Sequence, residues 1–446
     1  MLDAESFKGT YDGRGIPLAM GAGLHYENKW DKDRYALNSN YRLGSLEVEG
    51  TGNEFTVNNL PGQTTRTNSD RQFKNYVFRQ KLDAKMQVEL DSLSTLKLTL
   101  AGTLSNNNSN ESFGTYTLRD DDTFQNKNTR ELTSSGKEKN FYANALWNRR
   151  LRKPGRTISV NITQSSGASE STGFLNSLNE FFDQNNARYD TESIDQYKVS
   201  KTLTHAFNSN ITYTEPVWKS LNVLLNYGLN LSKGKSDKQS LNDDGSGNYT
   251  LPDEAFSNNF ILDQVSNTAG AIFNYQAGKS VVNFGTRIEN ISYKQHDLLT
   301  GDRLKRTFTN WNPQVSYNYQ ASKQATWNFS YNGKVNQPDI NQIQPLRVNN
   351  NPLYETLGNP ELGPSFTNSF NLSYTSYKTL GARLLSLFGS YVFTNNPISS
   401  STVTDDAGKT IVQSVNIKDR TPINYFFQIN SSRVISKVNV GMNALL

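Results

Sequence analysis

Several features that define other protein classes are missing from this sequence. It contains no cysteine, which excludes a disulfide framework, a thiolate metal site and a cysteine nucleophile. No run of about 18 apolar residues occurs, so the chain has no candidate transmembrane helix. The first residues do not combine a charged segment with a following apolar one, so no signal peptide is visible.

Residues that could carry catalysis or bind metal are sparse. The three histidines, His25, His205 and His296, are isolated in sequence, and none has the spacing of a metal-binding pair. The acidic runs Asp120–Asp122 and Asp243–Gly245 do not match an EF-hand and are interpreted as solvated turns. No catalytic triad order, paired carboxylates or nucleophile elbow is present. We therefore assign no metal, cofactor or catalytic residue and do not expect an enzyme.

The composition is polar but rich in large rings. Hydrophobic residues make up 35% of the chain, and the mean hydropathy is -0.67. Disordered chains share this polarity but lack aromatics, whereas this chain has 23 Phe, 22 Tyr and 5 Trp. The net charge of +5 is scattered rather than clustered, which argues against a nucleic-acid partner.

A strict two-residue alternation of apolar and polar side chains runs through the whole chain. It is clear at 221–231, 311–320 and 327–332, where Leu, Val, Trp, Phe and Tyr alternate mainly with Asn, Gln, Ser and Gly. This period is typical of strands with two different faces, and no helical period is sustained. The sequence therefore predicts an all-β protein.

Three further features favour a membrane barrel over a soluble sandwich. The alternating segments near 18–30, 94–105, 219–233, 280–293, 308–320 and 365–377 are long enough to cross a bilayer, which takes about 9–11 tilted residues. Their polar face is built mainly from Asn, Ser, Thr, Gln and Gly, as expected for a wet lumen. Short links alternate with long connections near 51–70, 106–138, 167–195, 234–260, 294–305, 336–365 and 395–420, which is the pattern of periplasmic turns and extracellular loops.

These features predict an antiparallel up-and-down transmembrane β-barrel embedded in outer-membrane lipid. Counting the links gives about 16 strands from residue 18 onward, with one more possible at Glu5–Tyr11. No linker divides the chain, so residues 1–446 form one barrel domain. The five tryptophans near strand ends are candidates for an aromatic girdle at the membrane interface, although some could instead contact a ligand: Trp30, Trp147, Trp218, Trp311 and Trp327.

A motif lies in the long connection before the strand at 365–377. It reads NPLYETLGNPELGPS over residues 351–365, and NQPDINQIQPL precedes it at 336–346. This resembles the barrel of TonB-dependent receptors, especially the outer-membrane β-barrel family abundant in Bacteroidota. Ser365 departs from the pattern, because the family usually has Glu there. The matching positions are Asn351, Pro352, Gly358, Asn359, Pro360, Leu362 and Pro364. In physical terms, Gly358, Pro360 and Pro364 should fix sharp turns and keep the loop from pairing as a strand, and Asn359 should cap its own backbone.

The resemblance implies a barrel of about 22 strands around a plug, with uptake driven by the TonB complex. The implied ligand is a siderophore, glycan, peptide or cobalamin, and a surface lipoprotein is a possible partner. Against that pattern, the chain is expected to be an incomplete barrel that lacks the signal peptide, the plug, the TonB box and the C-terminal strands.

Two other functions are compatible with the same barrel. A plug-less surface protein could use it as an anchor for adhesion or polysaccharide capture, or as a porin-like channel. An outer-membrane enzyme with residues on the rim has no sequence feature in its favour. A soluble β-sandwich is disfavoured, because Greek-key connections do not alternate strictly between short and long.

Overall fold

The structure, a computed structural model, describes residues 13–60, 63–343, 347–348, 350–378, 383–435 and 438–445. The possible strand at Glu5–Tyr11 lies outside these residues. The first half of the chain forms strands β1 (Ile16–Trp30), β2 (Tyr35–Leu60), β3 (Gln63–Asp91), β4 (Ser94–Leu118), β5 (Phe124–Arg150), β6 (Thr157–Phe182), β7 (Arg188–Trp218), β8 (Leu221–Asp243), β9 (Tyr249–Pro252) and β10 (Asn258–Ala277).

The second half continues with strands and one helical turn. They are β11 (Ser280–Asp297), β12 (Arg303–Ser322), β13 (Ala325–Asn336), α1 (Ile340–Ile343), β14 (Arg347–Val348), β15 (Tyr354–Leu357), β16 (Ser365–Lys378), β17 (Arg383–Asn395), β18 (Ile398–Thr404), β19 (Thr410–Asn416), β20 (Ile423–Ile435) and β21 (Val438–Leu445). Among the described residues, no helix has the length and apolar character needed to cross a membrane.

Sixteen long strands form one antiparallel sheet in which each pairs with the next long strand along the chain. The short elements between them leave this order intact, because β8 pairs with β10, β13 with β16, and β17 with β20. The strand β9 pairs antiparallel with the last residues of β8, while β14, β15, β19 and β18 form a separate four-stranded sheet. The predicted all-β, up-and-down architecture and the strand count are confirmed. Over the described residues, β1 and β21 are the two edges and are not paired with each other.

The register of the long sheet separates an apolar from a polar face. Residues that are paired across antiparallel strands lie on the same face. One continuous row across eight strands is apolar: Leu96, Trp147, Val160, Ile211, Tyr227, Ala269, Ile288 and Trp311. The row one residue away on the other face is mostly polar: Thr95, Asn148, Ser159, Thr212, Asn226, Gly270, Arg287 and Asn312.

Amide side chains connect neighbouring strands along the polar face. Asn144 donates to Asn161 at 2.7 Å and to the Thr163 hydroxyl at 2.8 Å. Asn226 donates to Asn210 at 2.8 Å, and equivalent asparagine pairs join β10 to β11 and β12 to β13. This face satisfies its own polar groups from strand to strand, which is what a water-filled interior requires. The predicted composition of the interior is confirmed.

The polar face is the inner face of the curved sheet. The tip of the β18–β19 hairpin contacts Asn126 on β5 and Glu192 on β7, and both of these side chains lie on the polar face. Strand β17, which leads into this hairpin, is many strands away from β5 and β7 in the sheet order. The sheet must therefore curl around the small sheet, with its apolar face outward.

The expected long loops are mostly strand. The links at the end of the sheet near residues 31–34 are short, as predicted. One further link that the sequence predicts to be short, Lys378–Gly381, lies mostly outside the described residues. At the other end, hereafter the far end, many residues that we expected in loops extend the hairpins, so that β7 reaches 31 residues. The prediction failed because Asn, Ser and Thr do not interrupt a strand when a neighbouring strand pairs with them.

The far-end hairpins close through short turns of similar geometry. At 183–187 the Asp183 amide bonds to the Ala187 carbonyl, and Asn186 has a φ of 63°. The tip at 405–409 repeats the pattern, with Gly408 at a φ of 82°. A type I turn followed by a left-handed residue is a standard three-residue hairpin connection. Long irregular loops are therefore confined to the segments around the small sheet.

Candidate functional site

The family-like motif lies around the small sheet, in the connection between β13 and β16. Its first turn is held by Asn351, whose side chain accepts from the Leu353 amide at 3.2 Å and whose carbonyl accepts from Tyr354 at 2.9 Å. Pro352 and Gly358 are buried, and Leu362 is only 1% exposed. The motif is thus a packed structural unit rather than a solvated loop.

Part of the motif forms a strand, contrary to expectation. Residues Tyr354–Leu357 form β15, which pairs with β14 and runs parallel to β19. Gly358 and Pro360 follow the end of this strand, so they limit its length rather than prevent it. The predicted role of Asn359 is confirmed, since its side-chain oxygen accepts from the Glu361 amide at 3.0 Å. Its amide also donates to the Ser414 carbonyl at 2.9 Å.

Two asparagines that sequence reasoning did not single out clamp the end of the motif. Asn416 accepts from the Gly363 amide at 2.7 Å and donates to the Gly363 carbonyl at 3.0 Å. Asn396 donates to the Pro364 carbonyl at 2.9 Å. Each asparagine is at least 32 residues away from its partner in the sequence, so no local pattern predicts these contacts. Ser365 is 6% exposed at the start of β16, where a small side chain fits.

The β18–β19 hairpin reaches the inner wall of the long sheet. The side chains of Gln125 and Asn126 donate to the carbonyls of Asp406 and Ala407 at 3.1 and 2.8 Å. The Lys409 ammonium lies 2.8 Å from the Glu192 carboxylate. These contacts hold the hairpin across the far end of the interior, which we call the vestibule: the far-end polar face of β3–β8 together with the small sheet.

Lys198 is a largely buried cation in the vestibule. Its ammonium donates to Asn350, immediately before the motif, at 3.3 Å. Burial lowers its pKa to about 8, although Asp253 acts in the opposite direction. A lysine with this pKa exchanges protons near neutral pH, unlike an exposed lysine.

The acidic runs and the histidines do not converge. Asp121 accepts from the amide and hydroxyl of Thr123 at 3.1 and 2.6 Å, and these bonds lower its pKa. Asp243 accepts from the Gly245 amide at 3.0 Å. Both runs therefore shape hairpin tips, as we interpreted them. The histidines lie on the separate strands β1, β7 and β11, and the described residues contain no group of three or more potential metal ligands.

All five tryptophans lie on the apolar face. Trp30, Trp147, Trp218 and Trp327 are close to the short links, whereas Trp311 lies eight residues into β12. A register irregularity between Pro216 and Trp218 pairs Trp218 with Leu221. Pro216 is paired with Asn222 on the polar face. Without the bulge, strict alternation would put Trp218 on that same face, two residues after Pro216.

Comparison with known proteins establishes the family. The model of the outer membrane protein beta-barrel family matches residues 149–445. This chain therefore belongs to that family, and it lies in the bacterial outer membrane. A comparison with curated protein sequences gives no significant match.

Solved structures with a similar fold include two transporters. One is the copper transporter OprC, with a TM-score of 0.53, 10% identity, and coverage of 95% of this chain and 60% of that one. The other is the ferric citrate transporter FecA in its unliganded form, with a TM-score of 0.51, 12% identity, and coverage of 94% and 56%. The chain thus spans somewhat more than half the length of these structures. At such low identity the likeness concerns the fold.

Proposed function

We propose that this chain is the barrel wall of an outer-membrane receptor that takes up a nutrient in a TonB-dependent manner. The observation that carries the proposal is the position of the motif at 351–365, folded into a small sheet inside the curved long sheet. A ligand that enters from the far end would meet this sheet before the polar interior. OprC and FecA, which share the fold, are both transporters, and this supports a transport role.

The orientation of the barrel in the membrane would follow from the lengths of the connections at the two ends of the strands. Outer-membrane barrels place short turns in the periplasm and long extensions outside the cell. The short links would therefore be periplasmic, and the vestibule would face the medium. On β7, the outer positions from Leu203 to Tyr213 span about 11 residues and are apolar except for His205 and Ser209. This length is enough for a tilted strand to cross the hydrocarbon.

The tryptophans fit an interfacial girdle on both sides of this apolar band. Trp30, Trp147, Trp218 and Trp327 would mark the periplasmic boundary. Trp311 is 61% exposed, and polar Thr309 follows it on the outer face toward the far end. It would mark the outer boundary, since tryptophan prefers the headgroup region. A ligand-binding role is disfavoured for all five, because none faces the interior.

Ligand capture would fall to the vestibule, and energised passage would require a plug domain and the TonB complex. Amide and hydroxyl side chains are frequent along the interior, and they suit a polar solute that moves by exchanging hydrogen bonds. A siderophore, glycan or peptide fits this description. A surface lipoprotein that binds such ligands would act at the far end.

Uptake measurements test the proposal in the native cell. Labelled siderophores, oligosaccharides and peptides would be supplied to wild-type cells, to cells lacking this barrel and to cells lacking TonB. We expect the uptake of one ligand class to be lost in both deletion strains. The barrel would be re-expressed from a plasmid as a control, which should restore that uptake.

Two results would contradict the proposal. Uptake that needs the barrel but persists without TonB would indicate a porin-like channel. Ligand retention at the surface without entry into the cell would indicate a binding or adhesion protein. Identical gel mobility of boiled and unboiled full-length protein would count against the closed barrel itself.

A further inference from the structure

A row of three residues crosses β3, β4 and β5 on the polar face of the vestibule. Phe113 is paired with Arg71 on one side and with Arg130 on the other. The guanidinium carbons lie 5.7 and 4.1 Å from the centroid of the Phe113 ring. Two cations thus share one aromatic ring, and we call Arg71, Phe113 and Arg130 the arginine row.

The two arginines differ in how their charge is compensated. Arg71 forms an ion pair with Glu111 at 2.7 Å, and Glu111 also accepts from Ser109 at 3.3 Å. Arg130 is 9% exposed, and its Nε has no hydrogen-bond partner. Its guanidinium group lies over the Phe113 ring and is also affected by the more distant charge of Glu111. The Nε of Arg71 likewise has no hydrogen-bond partner. The Glu111 carboxylate therefore acts on both guanidinium groups, the half-buried one of Arg71 and the buried one of Arg130.

An unpaired buried guanidinium group is energetically unfavourable. Removing a cation from water without supplying a hydrogen-bonding anion costs several kcal/mol. A ring face offsets only part of this cost, because a cation–π contact is weaker than a hydrogen-bonded pair with an anion. The remaining cost would be relieved by an oxyanion that accepts from the guanidinium group of Arg130, whose Nε is itself closed to solvent.

One member of the row, Arg71, lines a cavity of about 360 Å³, whereas Phe113 and Arg130 lie beyond its lining. Arg71, Phe73, Glu111 and Ser109 line it. Gly52, paired with Arg71 on β2, has open space where a side chain would be. The cavity has the size of a small-molecule site and combines one aromatic wall with a few polar groups. It offers room for the body of a ligand whose anionic group would extend from Arg71 past Phe113 to Arg130.

We propose that the arginine row is a binding subsite for a small organic anion that carries a carboxylate or phosphate group. The oxyanion would accept paired hydrogen bonds from Arg130, whose planar donor fork matches both groups. Phe73 would contact the apolar part of the ligand. The subsite would define the ligand class of the proposed receptor, so this proposal rests on the proposed function.

Equilibrium binding to the full chain in detergent tests the subsite. Succinate and glycerol 3-phosphate would be titrated, with neutral glycerol as the control ligand. We expect saturable binding of at least one anion, and the difference between the two probes tells a carboxylate site from a phosphate site. Arg130→Met should weaken that binding by about 10- to 100-fold, because a charge-assisted hydrogen bond is lost. Lys137→Met is the matched control on the outer face of β5, and it should leave the affinity unchanged.

Thermal unfolding of the same variants separates binding from folding. Because an unpaired buried charge is unfavourable, Arg130→Met should keep or raise the unfolding temperature without ligand. If it does not fold, Arg130→Lys should fold and bind several-fold more weakly, since it keeps the charge but lacks the planar fork. Absence of saturable anion binding to the folded wild-type chain would overturn the subsite, as would unchanged affinity in folded Arg130 variants.

The experiment is independent of transport. Equilibrium binding needs neither TonB nor an energised inner membrane, so failure of the uptake test would leave a positive binding result intact. Conversely, TonB-dependent uptake of a neutral glycan without any anion binding would contradict the proposed subsite but support the proposed receptor function.

Discussion

Lys409, at the tip of the β18–β19 hairpin, forms an ion pair with Glu192 on β7, although 217 residues separate them in sequence. The same ammonium lies 5.3 Å from the centroid of the Phe181 ring. Phe181 is 2% exposed at the end of β6. The pair thus joins the hairpin to the inner wall beside a buried aromatic ring.

Reversing one charge of this pair should loosen the hairpin. Lys409→Glu or Glu192→Lys should speed amide hydrogen exchange at 398–416, and the double reversal should restore it. The expected coupling is about 0.2–1 kcal/mol, because both side chains are partly exposed. Reversing Arg188 and Glu180, which form an ion pair outside the hairpin, is the control and should not affect 398–416. Failure of the double reversal to restore protection would show that the ion pair does not hold the hairpin.

Asn416→Ala should open the end of the family-like motif. The substitution removes both bonds to Gly363 and the bond to the Asn396 carbonyl at 3.1 Å. Three lost hydrogen bonds should lower the local stability by about 2–4 kcal/mol. Limited proteolysis should then cut within 351–365 faster than in wild type. Asn424→Ala, on the exposed part of β20, is the control. Equal cleavage rates would mean that Asn416 does not hold the motif.

The sequence predicts the sheet well, because its determinants are local. Alternation defines a strand by itself, and segments such as 280–293 and 365–377 coincide with β11 and β16 within a few residues. The far-end hairpins were missed for a physical reason. Their Asn, Ser and Thr residues disfavour a strand only until the partner strand and a tight turn supply the pairing.

The vestibule depends on contacts that the sequence does not display. Arg71, Phe113 and Arg130 form one row only in the observed register, and a shift of one residue would put a side chain on the other face. Likewise, Asn396 and Asn416 meet the motif only after the hairpin has folded back. The motif itself and the five tryptophans were visible in the sequence. Their roles in ligand capture and at the membrane interface stay predictions.

Lys198 should make the free energy of unfolding depend on pH in the alkaline range. Its pKa is about 8 in the folded chain, compared with 10.5 for an ordinary lysine. Between these values the unfolded chain holds a proton that the folded chain has released, so stability rises with pH in this window. The slope is at most about 1.4 kcal/mol per pH unit. Unfolding midpoints in denaturant from pH 7 to 11 should rise less steeply in Lys198→Met than in wild type. The exposed substitution Lys201→Met should retain the wild-type slope, and parallel curves for all three proteins would contradict the assignment.

Two neighbouring residues on β10 test which face of the sheet meets lipid. Ala269 lies on the apolar face between Tyr227 and Ile288, whereas Thr268 lies on the polar face opposite Gly228. Arginine at a lipid-facing position near the middle of the membrane costs about 2–4 kcal/mol, whereas a lumen-facing arginine remains hydrated. Ala269→Arg should therefore lower the free energy of unfolding in phospholipid vesicles by that amount. Thr268→Arg should change it by much less, since the side chain extends into the interior. Equal losses in the two variants, or a larger loss for Thr268→Arg, would mean that the assigned faces are wrong.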